Sequence, residues 1–95
     1  MASNFKIFSH RNNDNLHLKL MGDFDGSSAL ELTNILKTHQ NNARKIFIHT
    51  SNLSSIHPFG LDVFQKNCAI NNLSPSLTFT GEHGRRLAPE GSTLL

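Results

Sequence analysis

Hydrophobic and polar residues alternate most regularly at Leu16-His17-Leu18-Lys19-Leu20, with three leucines on one face and His17 and Lys19 on the other. A period of two predicts a half-buried strand. Upstream, Phe5 and Ile7 alternate with Lys6 and Phe8 across Asn4 to Ser9. This predicts a first strand at an edge of a sheet. The polar cluster Arg11 to Asn15 has turn chemistry and predicts an antiparallel hairpin joining the two. From Ala29 the period changes, and Ala29, Leu32, Ile35, Leu36 and His39 recur at helical spacing. Ser28 with Glu31 three residues later forms a capping-box pattern, with Asp25 and Ser27 as alternative caps.

The run Ile46-Phe47-Ile48, within Lys45 to His49, is β-branched and aromatic. It predicts a strand buried on both faces. A Ser/Asn loop is expected after it, and Pro58 then opens a second helix running to about Ile70. A first-turn proline gives up no hydrogen bond, and its φ is already helical. Asn71 to Pro75 stop that helix, and Ser76 to Thr80 read as a further strand with Leu77 and Phe79 inward. The Gly/Pro-rich end predicts one helical turn around Gly84 to Ala88 and a frayed tail over residues 89–95. The order is β-β-α-β-α-β in a single domain, 1–95, with its core at about 4–88. The fold class is α/β, a mixed and mostly parallel sheet of about four strands with helices packed on one side. The strand–loop–helix stretch Lys45 to Phe64 directs its loop out of the carboxyl edge of that sheet, where α/β proteins place their sites.

Composition narrows the chemistry. The chain has 95 residues, 37% hydrophobic and only 17% charged, which suits one small core and excludes wholesale disorder. The net charge is +2, and the adjacent basic pairs are Arg44-Lys45 and Arg85-Arg86. That footprint is too sparse for tracking phosphates, so no nucleic-acid partner is expected. Cys68 is the single cysteine, which rules out a disulfide framework and a CxxC metal pair and suits a small buried hydrophobe. No apolar run is long enough to span a membrane, and Met1 to Asn4 carry no signal-peptide pattern, so a cytoplasmic location is expected.

The six histidines, at 10, 17, 39, 49, 57 and 83, form no HxxxH or HxxE pair, and no metal or other cofactor is expected. No GxSxG motif is present, and no enzymatic activity is expected. Asp23 and Asp25 read either as an acid/base pair or, with more support, as a turn and helix cap. Gly81-Glu82-His83-Gly84 with Arg85-Arg86 reads as a flexible tail or as a cradle for an anion or nucleotide.

Four segments together resemble the STAS domain, the fold of bacterial anti-sigma factor antagonists. They are Leu20-Met21-Gly22-Asp23-Phe24-Asp25, then Ile46-Phe47-Ile48 followed by Ser51 to Ile56, then Gly60-Leu61 opening a helix, and Thr78-Phe79-Thr80-Gly81. The similarity covers roughly Phe5 to Ala88 and rests on order and spacing more than on any one motif. The family's loop before the second helix typically reads Asp-Ser-Ser-Gly, and a partner kinase phosphorylates its Ser or Thr. The added charge of about −1.5 to −2 at a helix N-terminus changes what the surface can dock. Here the matching residues are His57-Pro58-Phe59-Gly60. Pro58 stands at the phosphoacceptor position and carries no hydroxyl, so no phosphorylation is expected there. Ser54 and Ser55 carry hydroxyls upstream but do not match that position.

The resemblance implies a non-catalytic interaction module that binds an anti-sigma factor or kinase-like switch protein. Its partner-binding edge would comprise Asp23, Asp25, Ser55, His57, Pro58, Phe59 and Gly60. An exposed Phe59 on a stiff loop suits a docking anchor, and packing under the helix start is its alternative. Two further readings remain at this stage. One is a STAS subunit of a phospholipid-transport ABC complex, docked on the ATPase subunit. The other is a small anion- or nucleotide-binding domain. An open sheet edge would also let two copies pair weakly.

Overall fold

The computed structural model describes residues 4–95 of the chain. The reading of Met1 to Ser3 as carrying no leader lies outside the described residues. Nine elements follow one another. They are β1 (Lys6–Asn12), β2 (Asn15–Phe24), α1 (Gly26–His39), β3 (Lys45–Ile56), α2 (Pro58–Ile70), a 3-10 turn (Ser74–Ser76), β4 (Leu77–Thr80), α3 (Gly84–Leu87) and β5 (Thr93–Leu94). The strands form one sheet in the order β1-β2-β3-β4-β5. The β1–β2 hairpin is antiparallel and the other three pairings are parallel, as helical crossovers require. The fold is thus the expected mixed α/β sheet, with five strands rather than about four.

The core is built from the inward faces of the strands and one side of each long helix. Leu16, Leu18 and Leu20 of β2, Ile46 and Ile48 of β3, and Leu77 and Phe79 of β4 are buried. Ala29, Leu32 and Leu36 of α1 and Phe64 and Cys68 of α2 close over them. Burial pushes the Cys68 thiol up to about 12, so it stays protonated and behaves as the small hydrophobe expected from the sequence. Edge-to-face rings run through this core. Phe5 meets Phe24 at 5.8 Å between ring centres, Phe24 meets Phe64 at 5.9 Å, and Phe64 meets Phe79 at 6.1 Å.

Three expectations need correction. The Ile46-Phe47-Ile48 run is not buried on both faces, since Phe47 is only half-buried between the buried Ile46 and Ile48, and the Ser/Asn segment after His49 is not a loop, because β3 continues to Ile56. Its partner β2 likewise continues through Gly22 to Phe24. The register slips twice between them, once between Lys19 and Met21 and once between Gly22 and Asp23. Both extra residues lie on β3, which spends 12 residues against the 10 of β2. The buried positions of β3 are therefore Ile46, Ile48, Thr50, Leu53 and Ile56. Two steps of three break the period of two, and the segment no longer reads as a strand.

Second, the tail does not fray. Thr93–Leu94 pairs in parallel with Thr78 and Phe79 of β4, and the Leu95 amide donates to the Phe79 carbonyl at 3.0 Å. Pro89 to Ser92 make the turn that brings it there. The Ser92 amide bonds the Pro89 carbonyl, and Gly91 has φ +93, which suits glycine. Third, the cap of α1 is Asp25 and not Ser28 with Glu31. The Asp25 carboxylate accepts from the Ser28 amide at 2.9 Å, and Ser28 lies buried inside the first turn.

Candidate functional site

The carboxyl ends of β2 and β3 lie side by side, with Asp23 opposite Ser55 and Phe24 opposite Ile56. Each strand then turns directly into a helix. The second turn is stitched to the first strand, since the His57 amide donates to the Phe24 carbonyl at 2.9 Å. Chain connectivity and pairing alone thus bring the starts of α1 and α2 together. The spacing between them is as small as it can be. A Cβ on Gly60 would come within 2.6 Å of the Asp25 carbonyl carbon, so only glycine lets the first turn of α2 rest on the backbone of Asp25.

The side chains around this junction fall into two groups. Asp23 and Asp25 are held by hydroxyls. The Ser55 hydroxyl donates to Asp23 at 2.7 Å, and the hydroxyls of Ser27 and Ser28 donate to Asp25 at 2.9 and 3.0 Å. The Ser28 amide, helped by the Ser27 and Ser28 hydroxyls and opposed by burial, holds the Asp25 carboxyl well below the usual carboxylate range. Asp25 is therefore a charged cap. Of the two readings of the Asp23/Asp25 pair, the hydrogen bonds favour the turn and cap over acid/base work.

The second group faces outward. His57, Pro58 and Phe59 are exposed, and Pro58 occupies the first turn of α2 while the His57 side chain makes no capping bond. Phe59 is 70% exposed, yet one edge of its ring lies over Gly26, where an added Cβ would meet it at 2.9 Å. The ring is thus a projecting apolar surface braced at its base, and not a core residue under the helix. All seven residues proposed from the sequence lie in this one junction.

The Gly81–Arg86 segment is differently placed. Gly81 has φ +95 and abuts Ser51, and the His83 and Gly84 amides are already bonded, to the Thr50 hydroxyl and the Gly81 carbonyl. Two donors an anion cradle would use are committed to the fold, while Arg85 and Arg86 are exposed.

A further cluster was not anticipated. On the sheet face away from the helices, His10 pairs across from His17, and His49 pairs across from Thr80. His17 Nδ1 and His49 Nε2 lie 3.0 Å apart, and His49 Nδ1 lies 2.6 Å from Thr80 Oγ1. The signal available beforehand was the outward face of β2, with His17 and Lys19; the reading of β3 as buried on both faces hid the matching face of Phe47 and His49. Searching for histidine pairs within one helix or turn overlooks partners on different strands.

No family model matches the sequence, and a search of curated proteins finds no relative. Solved structures show what the chain resembles in shape. One is the anti-sigma factor antagonist SpoIIAA in its unphosphorylated form (12% identity, TM-score 0.61, 96% of this chain and 86% of that one). Another is an antisigma-factor antagonist STAS domain from Rhodobacter sphaeroides (11% identity, TM-score 0.63, 95% and 97%). A third is an uncharacterized protein with a SpoIIAA-like fold from Shewanella loihica (12% identity, TM-score 0.64, 100% and 87%). At such identities the likeness defines the class of fold. The chain has the SpoIIAA-like, or STAS, fold, in agreement with the resemblance carried by its motifs.

Proposed function

We propose that this chain is a non-catalytic regulatory module that binds a protein partner through the junction of α1 and α2. The observation that carries the reading is Phe59, an apolar ring 70% exposed on a proline-stiffened helix start and braced on Gly26. A rigid aromatic presented this way loses little entropy on docking and suits the centre of an interface. The charged cap Asp25 and the exposed His57 flank it as polar rim.

The partner class follows from the likeness to anti-sigma factor antagonists: an anti-sigma factor or kinase-like switch protein in the cytoplasm. In this reading Pro58 stands where such domains carry the phosphorylated residue. The module would then dock without a phosphate switch at that position.

The test pairs the purified chain with a cognate anti-sigma kinase and measures binding by calorimetry. Wild type is expected to bind, and Phe59→Ala to bind about 30-fold more weakly while melting at an unchanged temperature, as loss of a hot-spot ring of roughly 2 kcal/mol requires. Pro58→Ser is expected to become a substrate for phosphorylation where wild type is not. Equal binding by wild type and folded Phe59→Ala would remove the proposed surface.

A further inference from the structure

The sheet face that no helix covers gathers basic groups from distant parts of the chain. Lys6 of β1, Lys19 of β2 and Lys45 of β3 are exposed, and each is followed in its strand by a residue turned to the core, Ile7, Leu20 or Ile46. Successive side chains of a strand point to opposite faces, so the three lysines share the outer one. The seven carboxylates of the chain lie off this patch, in turns, on the helices or at the α1–α2 junction. The patch is therefore of one sign.

Between the lysines lie flat rings. Phe8 on the edge strand is 52% exposed. With His10 and Lys19 it borders an open cleft of about 440 Å³ that reaches His17 and His49. The inner rings are already fixed. His17 Nδ1 and His49 Nε2 share a hydrogen bond at 3.0 Å, and His49 Nδ1 is bonded to Thr80 Oγ1 at 2.6 Å. Phe47 stacks on His17 at 4.7 Å with 10° between planes. A platform held in this way loses little further freedom when a ligand lands on it. The branched aliphatic residues of β1 to β4 all turn to the core, which leaves the outer face aromatic and basic.

We propose that this face binds single-stranded nucleic acid, with bases stacked on its rings and phosphates held by Lys6, Lys19 and Lys45. Every base has a π-face, and an open sheet that sets aromatic rings among cations offers an unpaired strand both of its contacts. Other occupants fit less well. A second copy would set lysine against lysine. A lipid surface would call for aliphatic side chains, which this face lacks. An acidic peptide would meet the lysines and leave the rings without partners. Adjacent basic pairs along the chain gave no sign of this footprint, because it is assembled across three strands. It does not involve the α1–α2 junction.

The experiment is fluorescence anisotropy of labelled RNA and DNA single strands of about 12 nucleotides and mixed sequence, titrated with the full chain between about 50 and 200 mM salt. The expected result is saturable binding whose log K falls against log salt with a slope of about −2, as three phosphate contacts require. Lys19→Gln is expected to reduce that slope to about −1.4. Phe8→Ala is expected to weaken binding about 10-fold. Phe59→Ala, at the other site, is expected to bind as wild type does. Absence of saturable binding to either strand would overturn the proposal. So would competition by polyglutamate or by phosphatidylserine vesicles that matches competition by unlabelled strand, since the face would then read charge alone. Lys19 is exposed, so an unchanged slope in Lys19→Gln overturns the proposal even where Phe8→Ala fails to fold.

Discussion

Asp25 shows how one residue joins two tasks. Its carboxylate caps α1 through the Ser28 amide, and its backbone lies against the Gly60 that seats α2. The group is held below its ordinary value of 3.8, chiefly by the Ser28 amide. A depressed carboxyl contributes stability that is fully present above its unfolded value and is lost progressively as pH falls below that value toward the lower folded one. Thermal melts from pH 7 to pH 3 are expected to show a smaller acid-induced fall in Tm for Asp25→Asn than for wild type. Asparagine keeps a capping oxygen but has no proton to gain. An equal fall in both proteins would show that Asp25 does not set the acid sensitivity. The cap was legible only as one of three candidates, since Asp25, Ser27 and Ser28 all have suitable side chains. The choice was made by where β2 ends.

At the scale of elements, the strands taught most. The helices follow their periods closely: α2 begins at Pro58 and ends at Ile70 as the pattern requires. β3 does not, because its two bulges turn steps of two into steps of three after Thr50. A bulged strand is recognisable only once its partner is known. The same holds for β5, whose two residues have no strand pattern and are ordered by pairing with β4. Leu94 rests 3.4 Å from where a Cβ on Gly84 would lie, so β5 also covers α3. Removing Thr93–Leu95 is expected to lower Tm and to produce concentration-dependent self-association, because it leaves β4 as a bare edge. Sedimentation velocity over a range of concentrations checks this. An unchanged Tm and a monomer throughout would show that β5 adds nothing.

The whole molecule is held by a core that the sequence marks well. Its aromatic line, Phe5 to Phe24 to Phe64 to Phe79, ties the residue before β1 and the end of β2 to β4 through α2. Phe64 is fully buried between two other rings. Phe64→Ala is expected to lose about 3–5 kcal/mol of stability in urea unfolding, as the lost transfer energy and the cavity add. A loss below about 1 kcal/mol would mean that the core collapses around the gap. By itself, the sequence determined the two long helices, the hairpin, the inward leucines, the class of fold and the residues of the α1–α2 junction. The elements and the inward leucines depend on local periodicity and on proline and glycine chemistry, whereas the junction residues came from the resemblance of the motifs to the STAS family. Only the tertiary structure decided the length of β3, the pairing of the tail, the true cap of α1, the exposure of Phe59 and the meeting of His17 with His49. Each of these depends on which distant segment lies alongside, and that is settled when strands pair.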